Sequence, residues 1–394
     1  ANANPLYGEV FNDRATIYFK QGKLDEARED IKKAAILLPG NGQVHRNMGY
    51  VLVKSGDLAG GAVAYNRSLA IEPKNADTFN NLGMALEGMG RYEDATVFYE
   101  KAMEQNETLS LARWNRGLMY LRLGNLRKGW PLFEERWNTE MAGKERVYDF
   151  PLWDGSPLGS EKSVLIHYEQ GLGDVIQFSR FINTELLRET QIVLEVQTPL
   201  VSLLAKNWPN VRVIQSMEGL ARKYDHKIDC RCPIMSLPEI FNIDEDSITG
   251  ADGYIQAPDE YIKKWNEKLG PKNHKFRVGI SWSGRSSHNN DHNRSICLED
   301  FKKIFCEGIE FHSLQVDYRD GDKEYISQQK SFFDHSNDIS DFSDTAGLME
   351  NLDLIIAVDT SVAHLAGAIG KSVWILLPSW PDWRWMSNRC DTPW

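Results

Sequence analysis

Four glycines recur at a fixed interval in the first third of the chain: Gly22, Gly56, Gly90 and Gly124 are each 34 residues apart. A constant period of this length indicates a stack of helix-turn-helix units, because no single unit can bury its own apolar face. Glycine suits the turn that ends a helix, since it adopts positive φ without a steric penalty. The interval therefore predicts a helical array over residues 1–138, with about four units and a binding groove.

Other residues keep the same step. Small residues recur where two helices are predicted to approach closely, at Gly49, Gly83 and Gly117. Large side chains fill the packing position opposite them, at Tyr65, Tyr99 and Phe133. Proline cannot continue a helix, so Pro39 and Pro73 end the first two units. This pattern resembles the tetratricopeptide repeat (TPR) family over roughly residues 6–138. The fourth unit departs from it, because the aromatic segments 129–131 and 133–137 replace the usual second helix.

A row of amides also follows the 34-residue step: Asn47, Asn81 and Asn115, with Asp13 at the equivalent place in the first unit. On the inner helices these residues would line the concave face. A primary amide carries two donors and an acceptor, so such a row can hold the backbone of an extended peptide. In the alternative interpretation, each asparagine bonds only to a neighbouring helix.

The composition limits the classes of function. A chain of 394 residues is too long for one core, and 42% hydrophobic residues with 12 tryptophans indicate a folded protein. The net charge of −11 argues against a nucleic-acid partner, which prefers a basic surface. No signal peptide or long apolar run appears, and the five cysteines have no zinc spacing, so we expect a cytoplasmic protein without a metal site.

After a predicted linker at 139–162, strand and helix patterns alternate to the end of the chain. Alternation of this kind predicts parallel strands joined by right-handed crossovers. Seven strands are predicted, at 164–167, 192–196, 211–214, 278–282, 311–315, 354–358 and 373–377. They form two Rossmann-like domains, residues 163–272 and 273–394, that face each other across a cleft. Ligands of such sheets bind beyond the carboxyl ends of the strands.

The first of these strands leads into Gln170, Gly171, Gly173 and Asp174. The two glycines let the backbone approach a ligand where a helix begins. Asp174 at this helix start has two interpretations, a helix cap and a general base aimed into the cleft.

Two further segments stand at carboxyl ends in the second domain. One is Trp282, Ser283, Gly284 and Arg285, followed by a polar loop that reaches Arg294 and Ser295. Arginine at such a place suits a phosphate, which it can hold through two bonds. The other segment is Asp359, Thr360, Ser361 and His364, where a buried strand enters a helix. Free N–H groups and the helix dipole favour an anion such as a pyrophosphate there.

Together these motifs resemble TPR-linked bacterial glycosyltransferases of the heptosyltransferase type, glycosyltransferase family nine. The resemblance spans roughly residues 126–394 and is most specific over 358–370. It implies a GT-B fold with an acceptor domain first and a donor domain second. It also implies a nucleotide-sugar donor, inversion at the anomeric carbon and no catalytic metal or cofactor.

Residue by residue, the resemblance matches Asp174 to the family's proposed base. It assigns the donor site to the segments already named and to Gln315 in the Ser-Leu-Gln motif. The family often has lysine or asparagine where Arg285 stands, and its members usually continue beyond Trp394. We therefore also expect that the chain is a fragment.

Three functions fit these observations. The first is a protein glycosyltransferase whose TPR groove holds a polypeptide acceptor. The second is a transferase acting on a glycolipid or polysaccharide, and the third is a TPR scaffold with a degenerate transferase domain. Self-association of the array stays open.

Overall fold

A computed structural model describes residues 5–139, 148–216, 227–250, 252–272, 274–287 and 290–394. The chain forms two compact units: Ala1–Glu145 with Asp382–Cys390, and Arg146–Pro381 with Asp391–Trp394. Residues 140–147 of the predicted linker at 139–162 lie outside the described residues.

The first unit contains the predicted array of paired helices. The helices are α1 (Pro5–Lys20), α2 (Leu24–Leu37), α3 (Gly42–Lys54), α4 (Leu58–Ile71), α5 (Ala76–Gly88), α6 (Tyr92–Gln105), α7 (Ser110–Arg122) and α8 (Leu126–Phe133). The four periodic glycines stand between the helices of each pair, with φ of 75°, 84°, 74° and 80°. The predicted positive φ is therefore confirmed, because these turns use a conformation that side chains with a Cβ rarely adopt.

The second set of glycines marks close contacts between paired helices. A Cβ on Gly49 would lie 2.5 Å from the ring of Tyr65, and one on Gly83 would lie 2.6 Å from the ring of Tyr99. Both tyrosines are almost completely buried. The small and large residues of the repeat are thus complementary, as the sequence predicts.

The fourth repeat departs from the prediction that its second helix is replaced. Helix α8 is present, although it is short and contains Pro131, and a 3-10 turn follows at Glu134–Asn138. Residues Asp382–Cys390, which we call the returning segment, cover this end of the array. The ring of Trp383 lies 5.5 Å from the ring of Trp130 and 5.9 Å from the ring of Phe133. The aromatic side chains stabilise the last repeat where a full-length helix is lacking.

The second unit begins with a parallel four-stranded sheet in the order β3-β2-β1-β4. Its strands are β1 (Ser163–His167), β2 (Gln191–Val196), β3 (Arg212–Gln215) and β4 (Cys230–Pro233), and its helices are α9 (Leu172–Phe178), α10 (Val201–Asn207) and α11 (Leu237–Ile240). Strand β4 is missing from the sequence prediction. Its four residues include an arginine and a proline, so they lack the apolar pattern of a buried strand.

A parallel five-stranded sheet follows, in the order β7-β6-β5-β8-β9. Its strands are β5 (Phe276–Ser281), β6 (Ile309–Ser313), β7 (Phe332–Phe333), β8 (Leu354–Val358) and β9 (Val373–Leu376). The helices are α12 (Asp259–Leu269), α13 (Asp291–Arg294), α14 (Asp322–Ser327), α15 (Phe342–Glu350) and α16 (Ser361–Ala368). The strand order reverses between β5 and β8, where a ligand of such a sheet is expected to bind.

Candidate functional site

Helices α9 and α16 meet at their first turns, although they follow strands of different sheets. A Cβ on Gly173 would lie 2.6 Å from His364 Cδ2 and 3.4 Å from the Cα of Ser361. The absence of a side chain at Gly173 is what permits this approach. The structure thus brings together the two segments that the sequence analysis places on opposite sides of a cleft.

Asp174 is the third residue of α9, and its carboxylate turns back to the start of that helix. The backbone N–H of Gly171 donates to Asp174 Oδ2 over 2.7 Å. This is a capping contact made from inside the first turn, a familiar use of an acidic side chain there. Asp174 stays partly exposed, and Gln170 and Gly171 are exposed beside it. The first turn of α9 is therefore partly accessible to solvent around Asp174.

The loop after β5 is fixed by buried side chains. Trp282 is completely buried, and its indole N–H donates to Asp322 over 2.9 Å. Gln315 Oε1 accepts from the hydroxyl of Ser281 at 3.1 Å and from the backbone N–H of Ser283 at 3.2 Å. The structure places Trp282 and Gln315 beneath the loop, where they set its shape.

Arg294 joins this loop to the end of β8. Its guanidinium lies so close to Gly284 that a Cβ there would be 2.4 Å from Nη2. Its Nη1 donates to the carbonyl of Asp359 over 3.2 Å. By contrast, Arg285 is exposed on the same loop. The sequence predicts Arg285 and Arg294 as phosphate-binding residues. Arg294 is the one of these two that contacts the Asp359 segment.

Two charged residues of this region were missed by the sequence analysis: Asp291 and Arg319. They form an ion pair, and the Ser295 hydroxyl donates to Asp291 at 2.6 Å. Burial raises the pKa of Asp291, but the hydrogen bonds from Ser295 and Arg319 outweigh it and leave that pKa below its ordinary value. Arg319 lies in the loop after the carboxyl end of β6. Because ligands of such sheets bind at these ends, its place in the sequence could have identified it as a candidate site residue.

Three polar atoms around this loop have no hydrogen-bond partner among the described residues: Ser283 Oγ, Arg294 Nε and Thr360 Oγ1. Ser283 is only 3% exposed. Thr360 precedes α16, so the first N–H groups of that helix stand next to it. Buried polar groups are nearly always paired, and a cluster of three without partners needs an explanation.

The asparagine row of the array is engaged between helices. Asn47 on α3 donates to Asn12 of α1, and Asn115 on α7 donates to Asn80 of α5, both over 2.9 Å. Asn81 accepts a weaker contact from Asn80 at 3.5 Å. These bonds follow the interpretation in which the asparagines pair with a neighbouring helix, and they leave the Asn81 amide N–H groups with no acceptor among the described residues.

In the part of the chain that the structure describes, we find neither a candidate metal site nor a helix that could span a membrane. No group of three or more His, Cys, Asp or Glu residues there could hold a metal ion. None of the described helices has the length and apolarity needed to cross a bilayer.

Comparison with known proteins confirms the repeats. The model of the tetratricopeptide repeat matches residues 8–41 and 76–109. Protein FlbA of Caulobacter vibrioides is 24% identical over 403 residues, an alignment that includes 95% of this chain and 66% of FlbA. The chain therefore spans about two thirds of the length of this curated relative.

Solved structures similar to the chain cover about a third of it. The first TPR of Spaghetti (RPAP3) bound to the HSP90 peptide SRMEEVD is 21% identical and covers 30% of this chain and 94% of that one, with a TM-score of 0.29. MamA is 22% identical and covers 34% and 80%, with a TM-score of 0.32. The pilF protein of Pseudomonas aeruginosa is 22% identical and covers 34% and 66%, with a TM-score of 0.31.

Proposed function

We propose that this protein is a glycosyltransferase that moves a sugar from a nucleotide-sugar donor to an acceptor hydroxyl, with the two parallel sheets forming a GT-B pair. The observation that carries the proposal is the contact between the first turns of α9 and α16. It sets Gly173, the neighbour of Asp174, against His364 and Ser361 of the segment that begins at Asp359. We infer from this contact that Asp174 and the Asp359 segment act on one sugar.

In the proposed reaction, Asp174 takes the proton of the acceptor hydroxyl. The acceptor oxygen forms a bond to the anomeric carbon while the bond from that carbon to the diphosphate oxygen breaks. The electron pair of the broken bond leaves with the nucleoside diphosphate. A positioned base contributes about 10²–10⁴-fold to such a step.

The unpartnered polar atoms support an anionic ligand beside Asp359. Ser283 Oγ and Thr360 Oγ1 can each donate a hydrogen bond, Arg294 adds a charged donor, and the start of α16 adds backbone N–H groups. Donors of this kind stabilise the negative charge that develops on a departing diphosphate. A bound diphosphate would give Ser283 Oγ, Thr360 Oγ1 and Arg294 Nε the hydrogen-bond partners that these atoms lack.

For the acceptor, we propose a polypeptide held on the concave face of the repeats, the surface that such arrays use for binding. At one position of the asparagine row, the amide N–H groups of Asn81 can donate hydrogen bonds to the backbone of such a polypeptide. A glycolipid or polysaccharide acceptor is the alternative, and so is a scaffold that transfers no sugar.

The test combines ligand binding with turnover. UDP, GDP, ADP and CDP, and their hexose conjugates, are screened for a rise in melting temperature, which a ligand that binds the native state produces. We expect at least one to stabilise the protein. Ser283→Ala and Thr360→Val should each weaken that nucleotide's binding severalfold and leave the ligand-free melting temperature unchanged, because neither hydroxyl has a partner to lose.

Asp174→Asn should bind the same nucleotide sugar as well as the native protein does, yet release nucleoside diphosphate at least about 100-fold more slowly. Asp57→Asn is the matched control, since Asp57 also caps a helix, accepting from Gly60 N–H over 2.9 Å, but belongs to the array. If no nucleotide binds, or if Asp174→Asn retains full turnover, the proposed function is wrong.

A further inference from the structure

Asp291 lies between two arginines in the loop that follows β5. Its Oδ2 accepts a hydrogen bond from Nη2 of Arg319, and its Oδ1 lies 3.9 Å from Nε of Arg294. The carboxylate is buried, since only 6% of Asp291 is exposed. A buried carboxylate that faces a different guanidinium with each of its oxygens restrains both of them.

Both guanidinium groups also reach Gly284. Nη2 of Arg319 donates to the Gly284 carbonyl over 3.4 Å, and Arg294 is the residue that a Cβ on Gly284 would touch. The hydroxyl of Ser295 accepts from the backbone N–H of Gly284 over 3.0 Å and from Nη2 of Arg319 over 3.2 Å. The two arginines are thus anchored next to Ser283, whose buried hydroxyl has no hydrogen-bond partner among the described residues.

The backbone of Arg319 is held as well. Its N–H donates to Asp322 Oδ2 over 2.9 Å, and the same oxygen accepts from the indole N–H of Trp282. The guanidinium nevertheless uses only Nη2 in its hydrogen bonds to the described residues, and its Nε and Nη1 make none there. Because 42% of the side chain is exposed, these two nitrogens can donate to a ligand.

The three charged side chains together favour an anion. Arg294 and Arg319 carry two positive charges and Asp291 carries one negative charge, so one positive charge is in excess. This excess is local, because the chain as a whole has a net charge of −11. The planar fork of an arginine binds a phosphoryl group through two bonds. Two adjacent arginines therefore suit a ligand with two linked phosphoryl groups.

We infer that Arg319 is a second phosphate-binding arginine of the proposed donor site, and that Asp291 is the positioning residue that holds Arg319 and Arg294 side by side. Both roles rest on the proposed function, which places the donor diphosphate beside Asp359. Together they give the site a preference. With one arginine for each phosphoryl group, it binds a diphosphate more tightly than a monophosphate.

Isothermal titration calorimetry of the protein with inorganic pyrophosphate and with inorganic phosphate tests these roles, because neither probe needs a sugar or an acceptor. We expect pyrophosphate to bind more tightly. Arg319→Gln, a change at a partly exposed position, should lower the affinity for pyrophosphate at least about tenfold and the affinity for phosphate much less. Arg319→Lys should restore only part of the loss, since lysine lacks the planar fork.

Asp291→Asn separates positioning from charge. The change removes a negative charge from an anion site, so electrostatics alone predicts that pyrophosphate binds more tightly. If Asp291 positions the arginines, the variant instead binds pyrophosphate at least about tenfold more weakly. Tighter or unchanged binding would show that Asp291 has no positioning role.

The matched controls come from the repeats. Arg14 pairs with Asp30 there, and 48% and 4% of their side chains are exposed. The corresponding values for Arg319 and Asp291 are 42% and 8%. Arg14→Gln and Asp30→Asn make the same chemical changes and should leave the affinities for both probes unchanged.

The outcomes distinguish these roles from the proposed transfer of a sugar. If pyrophosphate binds as expected but no nucleotide sugar is turned over, the transfer is wrong and the roles of Arg319 and Asp291 are retained. If nucleotide sugars are turned over while Arg319→Gln keeps the native preference for pyrophosphate, the role of Arg319 is wrong. A native protein that binds neither probe, or binds both equally, would overturn both roles.

Discussion

At the scale of single residues, a pair of buried histidines beside the second sheet shows how burial controls ionisation. His312 Nδ1 lies 3.0 Å from His335 Nε2, and the rings stack at 5.3 Å. Burial lowers the pKa of His312 to about 3, assisted by the neighbouring His335, and burial lowers the pKa of His335 to about 4. Glu310 and Asp338 partly oppose these shifts. The folded protein therefore holds both rings neutral.

This pair predicts a loss of stability in mild acid. The unfolded chain binds protons near pH 6.5 and the folded pair does not, so the free energy of unfolding falls as the pH decreases from about 6.5 to about 4, the pKa of folded His335. The slope is up to about 1.4 kcal/mol per pH unit for each histidine. Urea unfolding at several pH values should show this slope, and His335→Gln should reduce it by about half. His292→Gln, at an exposed position, should retain the full slope; equal slopes in all three proteins would contradict the prediction.

The candidate site shows, also at this scale, how far side chains could be placed from the sequence. Ser283 and Thr360 were predicted as site residues because each follows a buried strand. Their place at the carboxyl ends of those strands can be read from the order of strands and loops along the sequence. The roles of Gln315 and Trp282 as supports under the loop depend on which side chains are buried together. Arg319 and Asp291 are far apart in sequence, and only the folded chain makes them an ion pair.

At the scale of elements, the inner helices of the array are linked by amide-to-amide bonds. Asn115 is buried and donates to Asn80, whereas Asn81 is half-buried and makes only a long contact. Two members of the same sequence row therefore have different roles. The 34-residue step places them on one face but does not reveal which of them has a partner.

We predict that Asn115→Ala lowers the free energy of unfolding by about 1–3 kcal/mol, because it leaves the Asn80 amide oxygen unsatisfied in a buried position. Asn81→Ala should cost less than about 0.5 kcal/mol, as for most substitutions without such a contact. Urea unfolding of both variants measures the difference. Similar losses in the two variants would show that the bond to Asn80 has no special weight.

At the scale of the whole molecule, one short segment of the second half of the chain belongs to the unit that the first half forms. Residues Asp382–Cys390 belong to the unit of the repeats, and Trp383 packs there with Trp130 and Phe133. The aromatic residues of segment 380–385 are of a type that serves either in packing or as the wall of a pocket. The observed contacts are those of packing.

Trp383→Ala should therefore lower the free energy of unfolding of the repeat unit by about 3–5 kcal/mol, the usual cost of emptying the space of a buried tryptophan. The control is Trp374→Ala, since Trp374 is 65% exposed on the edge strand β9 and should change stability by less than about 0.5 kcal/mol. Chemical unfolding followed by circular dichroism of the helices separates the two variants. Equal stability would show that α8 holds its place without the returning segment.

The sequence by itself determined the repeats and the parallel α/β pattern, because glycine turns, helix packing positions and buried strands depend on neighbours at a fixed distance along the chain. The contact of Gly173 with His364 and the unpartnered atoms near Arg294 were decided by tertiary structure. Each depends on which surfaces of distant segments meet, and periodic local patterns carry no information about that choice.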